Sequence, residues 1–208
     1  MGVTPYRIET ARLVIRCWEP EDAPLLKDAV DRSLDHLRPW MPWTPDEPEP
    51  LDTVYERLRT FRADYDRDMN LIMGVLTPDE SRVLGGTGLH PREGEESREI
   101  GYWLAADAIG QGYATELAGV LTRVGFATLG IDRMHIRVDP VNERSDRVPA
   151  KLGYTKEATL RRRLPQKQGS DLRDVNVWTI FRSDLAGSPC EAYEYVAYDA
   201  LSRVLARG

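Results

Sequence analysis

Two stretches of this chain gather residues of the kind that handle anions and protons. The first runs from Arg98 to Leu129. Within it, Ile109-Gly110-Gln111-Gly112-Tyr113-Ala114-Thr115 follows a short strand pattern, Glu99 to Leu104, and opens a helix. Glycines just ahead of a helix let the backbone come close to a ligand, and the first helical N–H groups have no partners inside the helix. The turn is therefore an anion site, with phosphate its natural guest. Gly-x-Gly alone more often marks a tight strand-to-helix turn that binds nothing. In the second stretch, Met134 to Val138 alternates like a strand with one buried face and leads through Asn142 and Ser145 to Lys151-Leu152-Gly153-Tyr154. On spacing alone, Asn142 and Ser145 form an Asx turn and a helix cap.

The segment from Ile109 to Ala114, followed by Asn142, Ser145, Val148 and Lys151 to Tyr154, resembles the acetyl-CoA signature of the GNAT N-acetyltransferases. The likeness is to the RimJ/RimL-like branch, which acetylates ribosomal-protein N-termini. Thr10-Ala11-Arg12-Leu13-Val14-Ile15-Arg16, Trp40-Met41-Pro42-Trp43 and Gly101-Tyr102-Trp103-Leu104 are similar to that branch too. The resemblance covers residues 8 to 184 and implies an α+β fold: a mostly antiparallel mixed sheet with one splayed parallel strand pair and flanking helices. It implies acetyl-CoA as co-substrate and a primary amine as acceptor, either a protein N-terminus or a small molecule such as an antibiotic or polyamine. A module that binds acyl-CoA without turnover is the alternative from another class. At Ile109 the family usually has Arg or Gln, so a side-chain contact can be missing there, whereas backbone contacts do not depend on it.

Acetyl transfer to an amine needs a thioester held still, a neutral amine, donors for the developing oxyanion and an acid for the leaving thiolate. Under the resemblance, the amides from Gly110 to Ala114, with Ile109 and Thr115 flanking them, hold pyrophosphate. Tyr102-Trp103-Leu104, splaying from a neighbouring strand, offers N–H groups to pantetheine and the acetyl oxygen. Asn142 bonds the pantetheine amides, Lys151 belongs to the same signature, and Ser145 protonates the sulfur. Tyr154 is a second acid, although a tyrosine after a helix stop is usually core. Glu99 is the base, set against a reading as a solvated hairpin carboxylate beside Arg98. Some relatives carry a glutamate further on, where this chain reads Arg161-Arg162-Arg163-Leu164. His90 is the fallback base and, with Trp40, Met41 and Trp43, a candidate for the acceptor pocket. Those aromatics are also what pins a proline-rich loop to a core.

The 208 residues suit one domain, 1–208, with residues 185–208 a C-terminal helical extension. A formal charge of −6 argues against a general nucleic-acid binder, which needs a basic face. Cys17 and Cys190 read as two reduced thiols. No His/Cys/Asp/Glu set has metal-ligand spacing, no Gly-x-Ser-x-Gly elbow occurs, and no apolar run reaches membrane-spanning length. The N-terminal residues lack a signal-peptide pattern and Tyr6 spoils a myristoylation reading of Met1-Gly2, so the cytoplasm is expected.

Strands are predicted at Leu13 to Cys17, Asn70 to Leu76, Val83 to His90 with a bulge at Gly85-Gly86, Glu99 to Leu104, Met134 to Val138, Tyr154 to Leu160 and Asp174 to Phe181. Helices are predicted from Pro20, from Leu51 to Asp66, from Gly112, and from near Ser145, with Pro149 in the last one's first turn. A basic connection runs from Arg161 to Ser170. In the tail, Tyr193, Val196, Ala200 and Val204 share one helical face that caps the domain or meets a second subunit, favouring a homodimer.

Overall fold

The computed structural model describes residues 2–164 and 172–208. The predicted connection between the last two long strands is thus described as far as Leu164, and its remainder up to Ser170 lies outside the described residues. The chain runs β1 (Arg7–Glu9), β2 (Val14–Cys17), α1 (Ala23–Asp31), α2 (Leu34–Leu37), α3 (Leu51–Asp66), β3 (Leu71–Leu76), β4 (Val83–His90) and β5 (Ser97–Leu104). It continues through α4 (Tyr113–Thr128), β6 (Arg133–Val138), α5 (Glu143–Lys151), β7 (Thr155–Leu164), β8 (Arg173–Phe181), β9 (Val196–Tyr198) and β10 (Val204–Arg207). These strands form one sheet in the order β10-β9-β1-β2-β3-β4-β5-β6-β8-β7. Each neighbouring pair is antiparallel except β5 and β6, which are parallel because α4 carries the chain across between them.

Strand alternation gives the sheet two different faces. On one lie Ile15, Met73, Leu89, Ile100, Met134 and Ile136, packed against α4 and α5 in the larger apolar cluster. On the other lie Val14, Trp18, Leu76 and Trp103, packed against Leu26 and Val30 of α1 and Val54 and Leu58 of α3. Helix α4 is buried nearly all round, which is why a motif at its start rests on a rigid base.

Three expectations are corrected. The tail is not helical: β9 pairs with β1 and β10 with β9, a short 3-10 turn at Pro189–Ala192 preceding them. Tyr193, Val196, Ala200 and Val204 have helical spacing, but in the extended tail it is Tyr195 and Ala197 that are buried. The helical face that favoured a homodimer is therefore not formed. Pro149 lies in the interior of α5, which begins at Glu143 because the Asn142 side chain caps it by accepting from the Ser145 N–H. The bulge near Gly85-Gly86 falls one residue earlier, at Leu84, where β3 and β4 slip register.

Candidate active site

Strands β5 and β6 pair only at Ser97–Arg133, Arg98–Met134 and Glu99–His135; beyond that point both continue with no pairing between them. Glu99 therefore stands at the vertex of a V. The Gly101 carbonyl accepts from Thr87 Oγ1 and the Ala105 N–H donates to Leu84 O, so both turn toward β4. By alternation the N–H and C=O of Tyr102 and Leu104 face the opening. This is a strip of unpaired backbone donors and acceptors about two residue pairs long.

Across the opening, the Tyr102 hydroxyl lies 2.9 Å from Ser145 Oγ and 3.4 Å from the Ser145 carbonyl. Pro149 explains why that carbonyl is available. Four residues on in the helix, it has no N–H to donate back. Burial raises the Tyr102 hydroxyl to about 12, so it stays protonated. Ser145 is held from its backbone side by Asn142 Oδ1, 3.2 Å from its N–H, which leaves the Asn142 amide donors for other partners. Asp146 fixes the same turn to β8, accepting from Asn176 Nδ2 at 2.9 Å and Trp178 Nε1 at 2.8 Å.

At the start of α4, Gly112 is the N-cap with φ 83° and Gly110 has φ 75°, backbone that a side chain would strain. The N–H groups of Thr115 and Glu116 both donate to the Gly112 carbonyl. Tyr113 and Ala114, ahead of them, have no backbone partner among the described residues. Gln111 turns its side chain back to the Asp107 carbonyl at 2.9 Å, and Ile109 packs its own against the core, so the loop presents amides rather than side chains. Arg12, missed as a site residue, lies over the Tyr113 ring at 4.8 Å and donates to the Gln111 carbonyl at 3.0 Å. Glu116 holds it in place through Arg12 Nε at 2.7 Å and is itself bonded by Thr10 Oγ1 at 2.6 Å. A cation thus stands at the loop, where the helix dipole also favours an anion.

Glu99 is enclosed, its Oε2 has no hydrogen-bond partner, and burial raises its carboxyl above the usual range against the pull of Arg92 and Arg137. The nearest cations are Arg137 Nε at 3.5 Å and Arg92 at 3.6 Å. His90 is its cross-strand partner, on the same face. Its Nδ1 meets Asn70 Oδ1 at 2.8 Å, and burial first, then Arg92, pulls it down to about 4, so the ring is neutral. Nδ1 is then the N–H donor and Nε2 carries the lone pair.

On this face a cavity of about 360 Å³ opens beside β5. Met41, Pro42 and Trp43 form one wall; Trp18, Leu26 and Val30 lie behind; Phe61 and Arg57 come from α3. His90, Trp103 and Arg92 complete it toward the vertex. Glycines in β4 make the floor possible: a Cβ on Gly86 would stand 2.6 Å from Trp103 Nε1, and one on Gly88 2.7 Å from His90 Nε2. Of the predicted acceptor residues, Met41, Trp43 and His90 are brought together here, whereas Trp40 does not line the cavity. Trp18, Phe61 and Arg57 were missed, because only the packing of α3 over β2 and β3 brings them near Trp43. Arg173 bonds Asp139 Oδ2 at 2.5 Å and the Pro39 carbonyl at 3.3 Å, tying this wall to the segment that carries Asn142.

Two other predicted residues lie apart. The Tyr154 ring is in the core, its hydroxyl 2.5 Å from Thr122 Oγ1 and raised far above the usual range by burial. Lys151 is exposed on the last turn of α5 with no ion-pair partner among the described residues. No group of three or more His, Cys, Asp or Glu among the described residues is placed to hold a metal, and no described helix is long and apolar enough to cross a membrane.

The profile of the acetyltransferase (GNAT) domain matches residues 12–155. The putative ribosomal N-acetyltransferase YdaF of Bacillus subtilis is 30% identical over 151 residues, 72% of this chain and 81% of the relative. The ribosomal protein uS5-alanine N-acetyltransferase of Escherichia coli is 27% identical over 159 residues, 75% and 81% of the two chains. Among solved structures, Mycobacterium smegmatis RimJ in complex with a CoA-disulfide superposes with a TM-score of 0.75 at 22% identity, covering 92% of each chain.

Proposed function

Because the chain belongs to the GNAT acetyltransferase family, we propose that it transfers the acetyl group of acetyl-CoA to the N-terminal amine of a protein, by direct attack within a ternary complex. The names of the uS5-alanine enzyme and of YdaF support a ribosomal-protein-like acceptor. The donor set fits the co-substrate: unpartnered amides at the start of α4 suit pyrophosphate, and the unpaired edge of β5 suits the amides of pantetheine.

The observation that carries this reading is the meeting of three groups around one opening. Backbone N–H groups of Tyr102 and Leu104 line it, Ser145 stands across it, and Glu99 closes its vertex. Glu99 takes the proton of the attacking amine, directly or through water, while the new C–N bond forms and the C–S bond breaks. Ser145 gives its proton to the departing sulfur, and Tyr102 hydrogen-bonds the serine at its other side. Of the two candidate acids, Ser145 is favoured over the enclosed Tyr154. The two faces of the sheet keep the partners apart until they react: carrier against α4 and α5, acceptor against α1 and α3.

Thiol release from acetyl-CoA, followed over peptides with free N-termini and small amines, tests the reading. Release that depends on the acceptor is expected. CoA binding without such release anywhere in the panel would make the chain a binding module instead.

A further inference from the structure

Given the transferase reading, the lining of the acceptor cavity says more about the acceptor than the need for an amine does. Three tryptophans, Trp18, Trp43 and Trp103, line it together with Phe61 and Met41, and Trp43 meets Trp103 edge to face at 5.8 Å. No Asp or Glu is among the described residues that line it. The charged groups that do are Arg57 and Arg92. Glu47 and Glu49 lie close by but are engaged with Arg57, at 3.0 and 2.8 Å, and Glu99 sits at the vertex beside His90 and Arg92. An acceptor with several ammonium groups would bring its extra charges toward the guanidinium groups of Arg57 and Arg92, with no carboxylate in the lining to receive them. A flat apolar group meets what it needs there: ring faces and edges and aliphatic carbon.

We infer that the acceptor is a primary amine carried on a bulky apolar, preferentially aromatic, body with no second cationic group. The body fills the cavity alongside the Trp43–Trp103 pair, and the amine points past His90 toward Glu99. The cavity is large for the methyl or hydroxymethyl side chain of an alanyl or seryl N-terminus, which would leave most of the aromatic surface uncovered. The same chemistry occurs in two sources, a polypeptide beginning with a large apolar residue and a free aromatic amine.

The test compares kcat/KM for phenylalanyl, alanyl and seryl peptides of otherwise identical sequence, for phenethylamine and for spermidine. Preference on the order of tenfold or more for the phenylalanyl peptide or phenethylamine over the other three is expected, since burying a ring adds at least that much binding. Which of the two leads identifies the source. Trp43→Ala should reduce the preference toward unity, and Met41→Ala, in the same loop but without the loss of an indole, should reduce it less. Equal or better use of alanyl and seryl peptides, or of spermidine, overturns the inference while leaving the transferase reading intact. A separate measurement follows quenching of tryptophan fluorescence by phenethylamine. Saturable quenching without thiol release from any acceptor keeps the cavity assignment and rejects the transferase reading; no quenching and no aromatic preference rejects the assignment itself.

Discussion

Ser145 is fixed on two sides, through its N–H by Asn142 and through its hydroxyl by Tyr102. With the Tyr102 proton directed at Ser145 Oγ, the serine keeps its own O–H for a third partner, which is the condition for an acid at the leaving sulfur. Ser145→Ala is expected to lower kcat by roughly 10²-fold with CoA affinity within about twofold, read from thiol release and calorimetric titration. Unchanged kcat would remove Ser145 from the chemistry. His90 gives a different signature. Its folded-state value lies below the ordinary 6.5, at about 4, so between those limits the unfolded chain binds the proton that the folded chain refuses. Stability due to this group is present above pH 6.5 and is lost as pH falls toward 4, by up to about 3 kcal/mol. Urea unfolding of the wild type and of His90→Gln across that range should show a shallower acid loss in the variant; parallel curves would contradict the assignment. The neutral state of His90 and the enclosure of Glu99 were not legible in the sequence, because both depend on what covers them and not on their neighbours along the chain.

At the level of elements, what the sequence revealed was what local periodicity or punctuation encodes. Helix α3 begins and ends within a residue of the predicted limits because Pro50 precedes it and Val54, Leu58 and Phe61 repeat at helical spacing. The glycine loop was legible for a similar reason: two positive-φ glycines and a buried helix are all it requires. Strand β1, three residues long, carries too little alternation to be seen and is defined by its pairing with β2 and β9. The start of α5 was displaced because Pro149 was taken as a first-turn residue, whereas the helix opens at the Asn142 cap and carries Pro149 in its interior. The reach of Tyr102 to Ser145 needs α5 held against β8, which is the part Asp146 plays. Asp146→Ala would leave Asn176 Nδ2 and Trp178 Nε1 without their acceptor. A loss of about 2 to 3 kcal/mol in chemical denaturation is expected, with kcat reduced beyond what the lost stability explains. A change under 0.5 kcal/mol would show that the turn is held by other contacts.

For the molecule as a whole, the sheet does two jobs at once: it is a wall between two apolar layers, and it is split at β5 and β6 so that something can pass through. The tail is part of that wall. Tyr195 and Ala197 are buried, and β9 covers the edge of β1, so a chain ending at Tyr193 should lose at least about 3 kcal/mol. By size this corresponds to a fall in Tm of roughly 6 to 12 °C in a thermal melt; an unchanged Tm would make the two strands dispensable. The tail was misread because its partner, β1, lies nearly the whole chain away in sequence. The central claim is that amides at the start of α4 hold the pyrophosphate of acetyl-CoA, and Gly112 is the residue whose backbone makes them available. Calorimetric titration of CoA into the wild type and into Gly112→Val addresses it directly, since a β-branched residue resists φ 83° and would tilt the first amides away. Saturable binding to the wild type and at least about tenfold weaker binding to a still-folded Gly112→Val are expected; no heat of binding to the wild type, or equal affinity in the two proteins, would contradict the account.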